Sequence, residues 1–468
     1  MFLFLLFSLC SSQRVNELLK VYPFHVDLTN LLISHDDSNL TGIDITKLYE
    51  QTSFRSYNMD ITTENLDLML RYPTNETTVT CNFTTDYKTS NSKFLSNIGC
   101  SLKGSVGSLR ICLDMFGNIN GNCRRLSIQV NTQKFNKKNS TFRKYIFNGM
   151  ASDLSLVSER TAFYLMHQYN MYASFANHAK LFLNNRYIGI YSFIEPVDET
   201  FTSIRFKNDS RKGKGALYKD LWLNPLHTQN ISKYRKAGPK QDDNFIMEVM
   251  SEMENISINA SKQFLDRYFD IDSFINLTAF NMMLGSTDDF QQRHNFYLYI
   301  RQDADGQKRI VFIPWDYDRL YDAGSQTRGS LRGYPWFNIN ATATPLACGR
   351  LILTPLEKAQ MVASSPLEIP YYVDIFEQLP EDIDIPVTCD KFTKILAQVY
   401  GLKVRNRLKR FIWRLQLPNL KYIWNIWNQQ IKTALVFDIA GPTYSTMLSQ
   451  QDQLYTSISL SMSKANSY

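Results

Sequence analysis

At 468 residues the chain is long enough for two or three packed units, at roughly 100–200 residues per domain. Its 44% hydrophobic and 20% charged residues are ordinary for a globular protein and exclude a low-complexity or disordered chain. The net charge of +7 is spread along the sequence; it favours anionic partners without specifying nucleic acid, and no zinc-ligand spacing, RNA-recognition signature or long Lys/Arg block is present.

Residues 2–9 are almost wholly apolar, and the small residues Ser11 and Ser12 suit cleavage. This predicts a short signal peptide over residues 1–12, although it lacks the usual positive leader charge; the other reading is a buried first strand. No later segment approaches ~18 uninterrupted apolar residues, so no transmembrane segment is expected. The C-terminus has neither a retention tetrapeptide nor a lipid-anchor tail. Beyond Cys10 remain Cys81, Cys100, Cys112, Cys123, Cys348 and Cys389. An even number in a secretory chain suggests disulfides: the first four crowd together and are expected to pair among themselves, leaving Cys348 with Cys389. Sequons at Asn39, Asn75, Asn82, Asn139, Asn208, Asn230, Asn255, Asn259, Asn276 and Asn340 fit a secreted glycoprotein, with Asn276 expected to be unmodified inside a helix.

Residues 13–94 are polar and weakly periodic and read as an N-terminal extension with some strands. Residues 101–108 (SLKGSVGS) form a glycine-rich turn, and residues 126–130 (LSIQV) alternate like a strand. Residues 153–169 take helical spacing, capped by Asp153 or Ser155. Two strands, 179–183 and 187–194, joined through Asn184, Asn185 and Arg186, predict a hairpin, because Asn tolerates positive φ. A charged, loop-rich stretch follows from Glu195 to about Gln241, then helices over 243–255 and 262–284. A second hairpin is expected from residues 295–300 (NFYLYI), a turn at 303–306 and residues 309–313 (RIVFI). Past residue 345 the pattern is mainly helical, with a basic amphipathic segment over 394–415. Strand, helix and hairpin together give an α+β class.

Residues 285–318 carry the chemistry. A hairpin that returns the chain brings Asp316 and Asp318 back beside Asn295 and the loop of Asp288 and Asp289. These are hard oxygen donors of the kind Mg2+ prefers. An Asp, an Asn a few residues on, and a second Asp after a short hairpin is also the order used in phosphoryl transfer by protein kinases. His294, Trp315, Trp336 and the basic group Arg405, Arg407, Lys409, Arg410 and Arg414 are read as packing or surface residues.

The words TDDF, NFYLY and FIPWDYD resemble the C-terminal signature of the CotH family of spore-coat protein kinases. Upstream, ERTA (159–162), LFLNNRYIG (181–189), IYSFIEPVD (190–198), LYK (217–219) and YFDIDSF (268–274) are similar to successive family motifs in the same order. The resemblance covers about residues 95–325. It implies an atypical protein-kinase-like two-lobed fold: an N-lobe over 95–198, a C-lobe over 199–430 and a tail over 431–468. It implies ATP with Mg2+ or Mn2+, and transfer of the γ-phosphoryl group to Ser or Thr of coat, wall or surface proteins.

By the same resemblance Asp288 is the catalytic base, with Asp289 the runner-up. Asn295 and Asp316 are metal ligands, and Asp318 is a further ligand or a supporting group. Glu195 through Asp198 line the adenine side, unless Glu195 caps a turn. Lys103 and Gly104 match the basic residue and glycine of the family's phosphate turn, and Glu159 pairs with a phosphate-binding lysine. The sequence departs from the family at residues 123–126 (CRRL), where no lysine stands. Arg124, Arg125, Lys103 and Lys219 are the candidate replacements. Without one the protein would be a silent pseudokinase, acting as a structural or adhesive wall or surface protein.

Overall fold

The computed structural model describes residues 48–320 and 391–466, apart from short stretches that include 105–108, 114–118, 120–124, 138–141, 224–229, 287–289 and 291–294. In chain order the elements are β1 (Arg55–Asp60), α1 (Thr63–Arg71), β2 (Val79–Thr85), β3 (Lys93–Lys103), β4 (Ser127–Asn131), β5 (Lys144–Asn148), α2 (Ser158–Gln168), β6 (Ala176–Leu183), β7 (Arg186–Ile194) and α3 (Glu199–Arg205). There follow β8 (Leu217–Lys219), α4 (Ile231–Tyr234), β9 (Arg235–Ala237), α5 (Asp242–Asn255), α6 (Ser261–Tyr268), α7 (Ile271–Leu284), β10 (Phe296–Gln302) and β11 (Lys308–Pro314). The helices α8 (Lys391–Arg414), α9 (Leu417–Leu435) and α10 (Tyr444–Asn466) complete them.

The α+β class holds. In place of the kinase-like two-lobed arrangement, the described residues form a closed seven-stranded barrel in the order β1-β2-β3-β4-β5-β7-β6, followed by a four-stranded sheet β11-β10-β8-β9 with helices. Closure comes from β1, which pairs antiparallel with β2 and parallel with β6, Arg55 to Met59 running beside Ala179 to Leu183. Residues 55–85, read from sequence as part of an extension, therefore supply two staves of the barrel.

Period-two alternation fills the barrel. On β5, Tyr145 and Phe147 point inward and meet Tyr57, Phe83 and Phe193 at ring-centroid separations of 5.0 to 6.2 Å. Each such ring contributes about 1.5–3 kcal/mol by leaving water. Residues 144, 146 and 148 of β5 face the other way, where they line a cavity. Cys81 and Cys100, on neighbouring strands β2 and β3, form a disulfide inside this core. Cys112 is also disulfide-bonded; Cys123, Cys348 and Cys389 lie outside the described residues.

The hairpin of β6 and β7 turns through Asn184 and Asn185 at φ 49° and 66°, as the Asn pair predicts. The helix expected over 153–169 begins at Ser158, because Asp153 instead accepts from the Ser155 and Ser158 amides of the preceding turn. The helix expected over 262–284 breaks in two at Phe269 and Asp270. Asp270 caps the second piece through the Ser273 amide at 3.0 Å, and its own amide donates to Ile310 O.

The C-terminal helices pack on the second sheet's helices and on the barrel, α8 against α7 and α9 against β7. They are tied to α2 and the turn before it by polar contacts: Trp424 Nε1 donates to Thr161 Oγ1 at 2.8 Å, and Gln451 Nε2 donates to Ser155 O at 3.0 Å. Asn276 lies mid-helix on α7, half-buried and bonded by Arg407.

His167 is buried on α2, donates Nε2 to Ser174 O at 3.0 Å and stacks on Phe175 at 4.4 Å. Desolvation, and secondarily the Arg205 charge, push its pKa from 6.5 down to about 3. Above pH 6.5 the ring is neutral in both folded and unfolded chains. Between about 6.5 and 3 only the unfolded chain takes the proton, so stability falls as pH drops through that window. In chemical denaturation followed against pH, His167→Gln is expected to flatten the slope across that window by close to one proton.

Candidate functional site

The second sheet's central hairpin builds one wall of the site. Phe296 pairs with Pro314 as the first rung of β10 and β11, and Trp315 N donates to Asn295 O at 3.1 Å just outside it. Asn295 and Asp316 are therefore neighbours by register. Both take left-handed backbone, at φ 57° and 59°, a conformation that β-strand continuation would not allow and that non-glycine residues adopt rarely.

Opposite stands the outer face of the barrel. A cavity of about 370 Å³ lies between the two walls. The barrel side contributes Lys103 and Gly104 from the end of β3, Ser127 and Gln129 from β4, and Lys144, Ile146 and Asn148 from β5. Pro196, Val197 and Asp198 cross between the walls, and the sheet side contributes Lys219, Lys236, Asn295, Tyr297, Trp315, Asp316 and Asp318. Gly104 leaves its strand at φ 137°, a turn that a residue with a Cβ rarely makes.

Behind the cavity Glu159, 1% exposed on α2, accepts from Asn148 Nδ2 with both oxygens, at 3.1 Å each. Asn148 Oδ1 accepts in turn from Lys103 Nζ at 3.1 Å, and the Lys103 ammonium stands 5.3 Å from the centroid of the Trp315 ring. Burial, and then the charges of Asp316 and Asp318, raise Glu159 well above the usual carboxylate range. Excess negative charge thus collects where Asp316, Asp318 and Glu159 approach one another. Burial holds the Lys144 ammonium below lysine's usual value, against the opposing pull of Asp198.

Of the residues singled out from sequence, the structure gathers Lys103, Gly104, Lys219, Asn295, Asp316 and Asp318 around this cavity, with Glu159 directly behind. Asp288, Asp289 and Arg124 lie outside the described residues, as do His294 and Trp336. Two candidates are placed elsewhere. Arg125 is buried away from the cavity: it donates to Asp438 Oδ2 at 2.7 Å and to Ile190 O at 2.6 Å. Asp438 can approach because residue 189 is glycine, where a Cβ would stand 2.9 Å from both carboxylate oxygens. Glu195 is buried on an ion pair with Arg205 and accepts from Phe175 N at 3.0 Å, so it anchors the segment that crosses between the walls. Asp198 does line the cavity, and its Oδ1 caps α3 through the Thr200 amide at 2.9 Å.

Sequence reasoning missed Lys144, Lys236, Asn148 and Tyr297. The alternation of KYIFN could have placed Lys144 and Asn148 on one face of β5; no local pattern marks Lys236.

A divalent cation suits the donors at the carboxylate end. Among the described residues no group of three or more His, Cys, Asp or Glu side chains could hold a metal alone. Two carboxylates and an amide are nonetheless the partial oxygen set that Mg2+ takes when phosphate oxygens and water complete its shell. The charge that raises Glu159 is what such a cation would offset.

Carboxylates and lysines thus face one another across a polar cleft in an α+β chain. A family model described as CotH kinase protein matches residues 113–361, more than half of the chain, and the chain belongs to that family. No curated protein matches it. Among the described residues no helix is long and apolar enough to cross a membrane.

The burial of Arg125 makes it a stability residue. Arg125→Met is expected to lower the unfolding free energy by roughly 3–5 kcal/mol, because it strands the Asp438 charge in the interior. Arg125→Met with Asp438→Leu should recover part of that loss in urea denaturation.

Proposed function

We propose that this CotH-family chain is a phosphoryl transferase that binds ATP with Mg2+ or Mn2+ and phosphorylates Ser or Thr of a coat, wall or cell-surface protein. The observation that carries this reading is the meeting of Asn295, Asp316, Asp318 and Lys219 from the sheet wall with Lys103 from the barrel wall around one cavity. Asp316 and Asp318, with Asn295, would hold the cation, which when bound neutralises charge between the phosphates. Lys103 and Lys219 would hold phosphate oxygens. Pro196, Val197 and Ile146 offer an apolar flank for the base.

In the transfer, the acceptor hydroxyl oxygen forms a bond to the γ-phosphorus while the bond to the β–γ bridging oxygen breaks and ADP leaves. Asp288 is the proposed acceptor of the hydroxyl proton, on its position in the sequence before Asn295. Disulfides, together with the apolar residues 2–9, favour a secretory or extracellular setting.

One observation favours a second reading. Residues 123–130 carry no lysine, and Arg125 is committed to Asp438. A site without a strand lysine suits a silent relative that serves as a structural or adhesive surface protein.

A thermal-shift titration separates the two, since a ligand that binds the native state raises its melting temperature. ATP with Mg2+ or Mn2+ is expected to raise the midpoint, ATP without metal to raise it less, and Asp316→Ala to abolish the metal-dependent part. No shift with any nucleotide–metal pair would leave the structural surface protein as the better reading.

A further inference from the structure

We infer that Asn148 is a positioning residue for the phosphate-facing lysine, an amide relay set between Lys103 and Glu159. The inference rests on the nucleotide reading above and deepens it.

The hydrogen-bonding chemistry of the three groups admits one arrangement. An ammonium only donates. The Asn148 amide must therefore turn its oxygen to Lys103 and its nitrogen to Glu159, as observed at 3.1 Å on each side. Asn148 is itself 6% exposed, and its backbone is fixed by the pairing with Ser192 on β7. The relay is thus built on a strand that fixes the position of its backbone, while the bonds to Lys103 and Glu159 hold the direction of the amide.

Its consequence concerns Lys103. Among the described residues no direct ion pair joins Lys103 to Glu159; the amide stands between them. A lysine held by a carboxylate has its charge cancelled at contact range and must give up that partner to meet a phosphate. Held by an amide oxygen, Lys103 spends one of its three donors on a neutral group and keeps its charge for an incoming anion. Glu159 acts at one remove: it fixes which way the amide points. The same Glu159 feels Asp316 and Asp318, so the relay ties the placing of the lysine to the carboxylate end of the cavity. A direct lysine–glutamate pair serves the corresponding purpose in protein kinases; the inserted amide is the feature of this chain.

The test is a double-mutant cycle on the full chain, with the dissociation constant of Mg2+–ATP as the readout. The variants are Asn148→Leu, which keeps the side chain's size, Lys103→Met, and the two together. Asn148→Leu is expected to weaken binding by about tenfold, the range of one hydrogen bond to a charged group. The double variant is expected to bind no more than about twofold worse than Lys103→Met alone, because a residue that acts only through Lys103 has nothing left to position. If Asn148→Leu does not fold, Asn148→Ala carries the same cycle: it neither accepts from Lys103 nor donates to Glu159, and the same non-additive loss is expected. Losses that multiply in the double variant, or wild-type affinity in a folded Asn148 variant, would overturn the relay. A folded wild type that binds no nucleotide would overturn the nucleotide reading, and the relay with it; a wild type that binds while the cycle is additive would overturn the relay alone.

Discussion

The site depends on one rung of one hairpin. Phe296 stands opposite Pro314, so Asn295 faces Trp315 and Asp316 follows one residue on, where the two strands open. Seven rungs separate this end from the far turn, roughly 20 Å at about 3.3 Å per residue, yet the turn governs it. A slip of one residue would flip every side chain of a strand to the other face and carry Asp316 out of the cavity. Several contacts at the turn hold the register. Asp303 N donates to Gln307 O at 2.8 Å, and Asp303 is paired with both Arg301 and Arg309 at 2.9 Å. The charges around residues 301–309, which look like a solvated loop tip in the sequence, are thus part of what aligns the donors at the other end.

The facing wall owes its chemistry to barrel closure. A closed sheet has an inside that must be apolar, and here it is filled with stacked aromatic rings. The outside of the same strands is then free to carry Lys103, Gln129, Lys144 and Asn148. The parallel pairing of β1 with β6 joins the sheet's two edges, and without it β1 and β6 would each present an unpaired edge. Rigid strands on both sides explain how a cavity lined by so many charges holds its shape: Lys103, Lys144, Lys219 and Lys236 are all mounted on paired strands, and Asp316 follows closely on one.

Much of this was legible locally. Asn184 and Asn185 announced their turn, and the order of Asn295, Asp316 and Asp318 announced that these three would meet, because a hairpin is a short-range structure whose ends meet by necessity. What was not legible was long-range. Residues 55–60 become a stave of the barrel by pairing with residues some 124 positions later, and nothing in their weak alternation names that partner. Arg125 resembled a phosphate ligand because it stands where the family has a basic strand. Its fate was decided by Asp438, 313 residues away, and by a glycine at 189 that leaves space for it. Glu195 has its partner close by, Arg205 only 10 residues on in the next helix, yet no local pattern marks that pairing. The alternation of KYIFN could place Asn148 on a face but not name its partners, since an asparagine at a strand end is usually a turn residue.

The withdrawal of Arg125 bears on how the cavity is charged. An arginine there would have presented a fixed, bidentate cation to phosphate. With it locked to Asp438, cationic character in the cavity comes, among the described residues, from Lys103, Lys144, Lys219 and Lys236, which are point charges on flexible stems. Such groups locate an anion poorly unless something else orders them. Lys219 has Asp220 at 3.8 Å, and Lys103 has the Asn148 amide on one side and the Trp315 ring on the other. Lys103 also lies on the strand next to the one that lacks its lysine, close enough for its ammonium to reach the amide on β5. A cation supplied from β3 in place of β4 keeps the charge in the cavity while changing the backbone that carries it. That accounts for a chain that departs from its family's strand pattern and still arranges lysines opposite carboxylates.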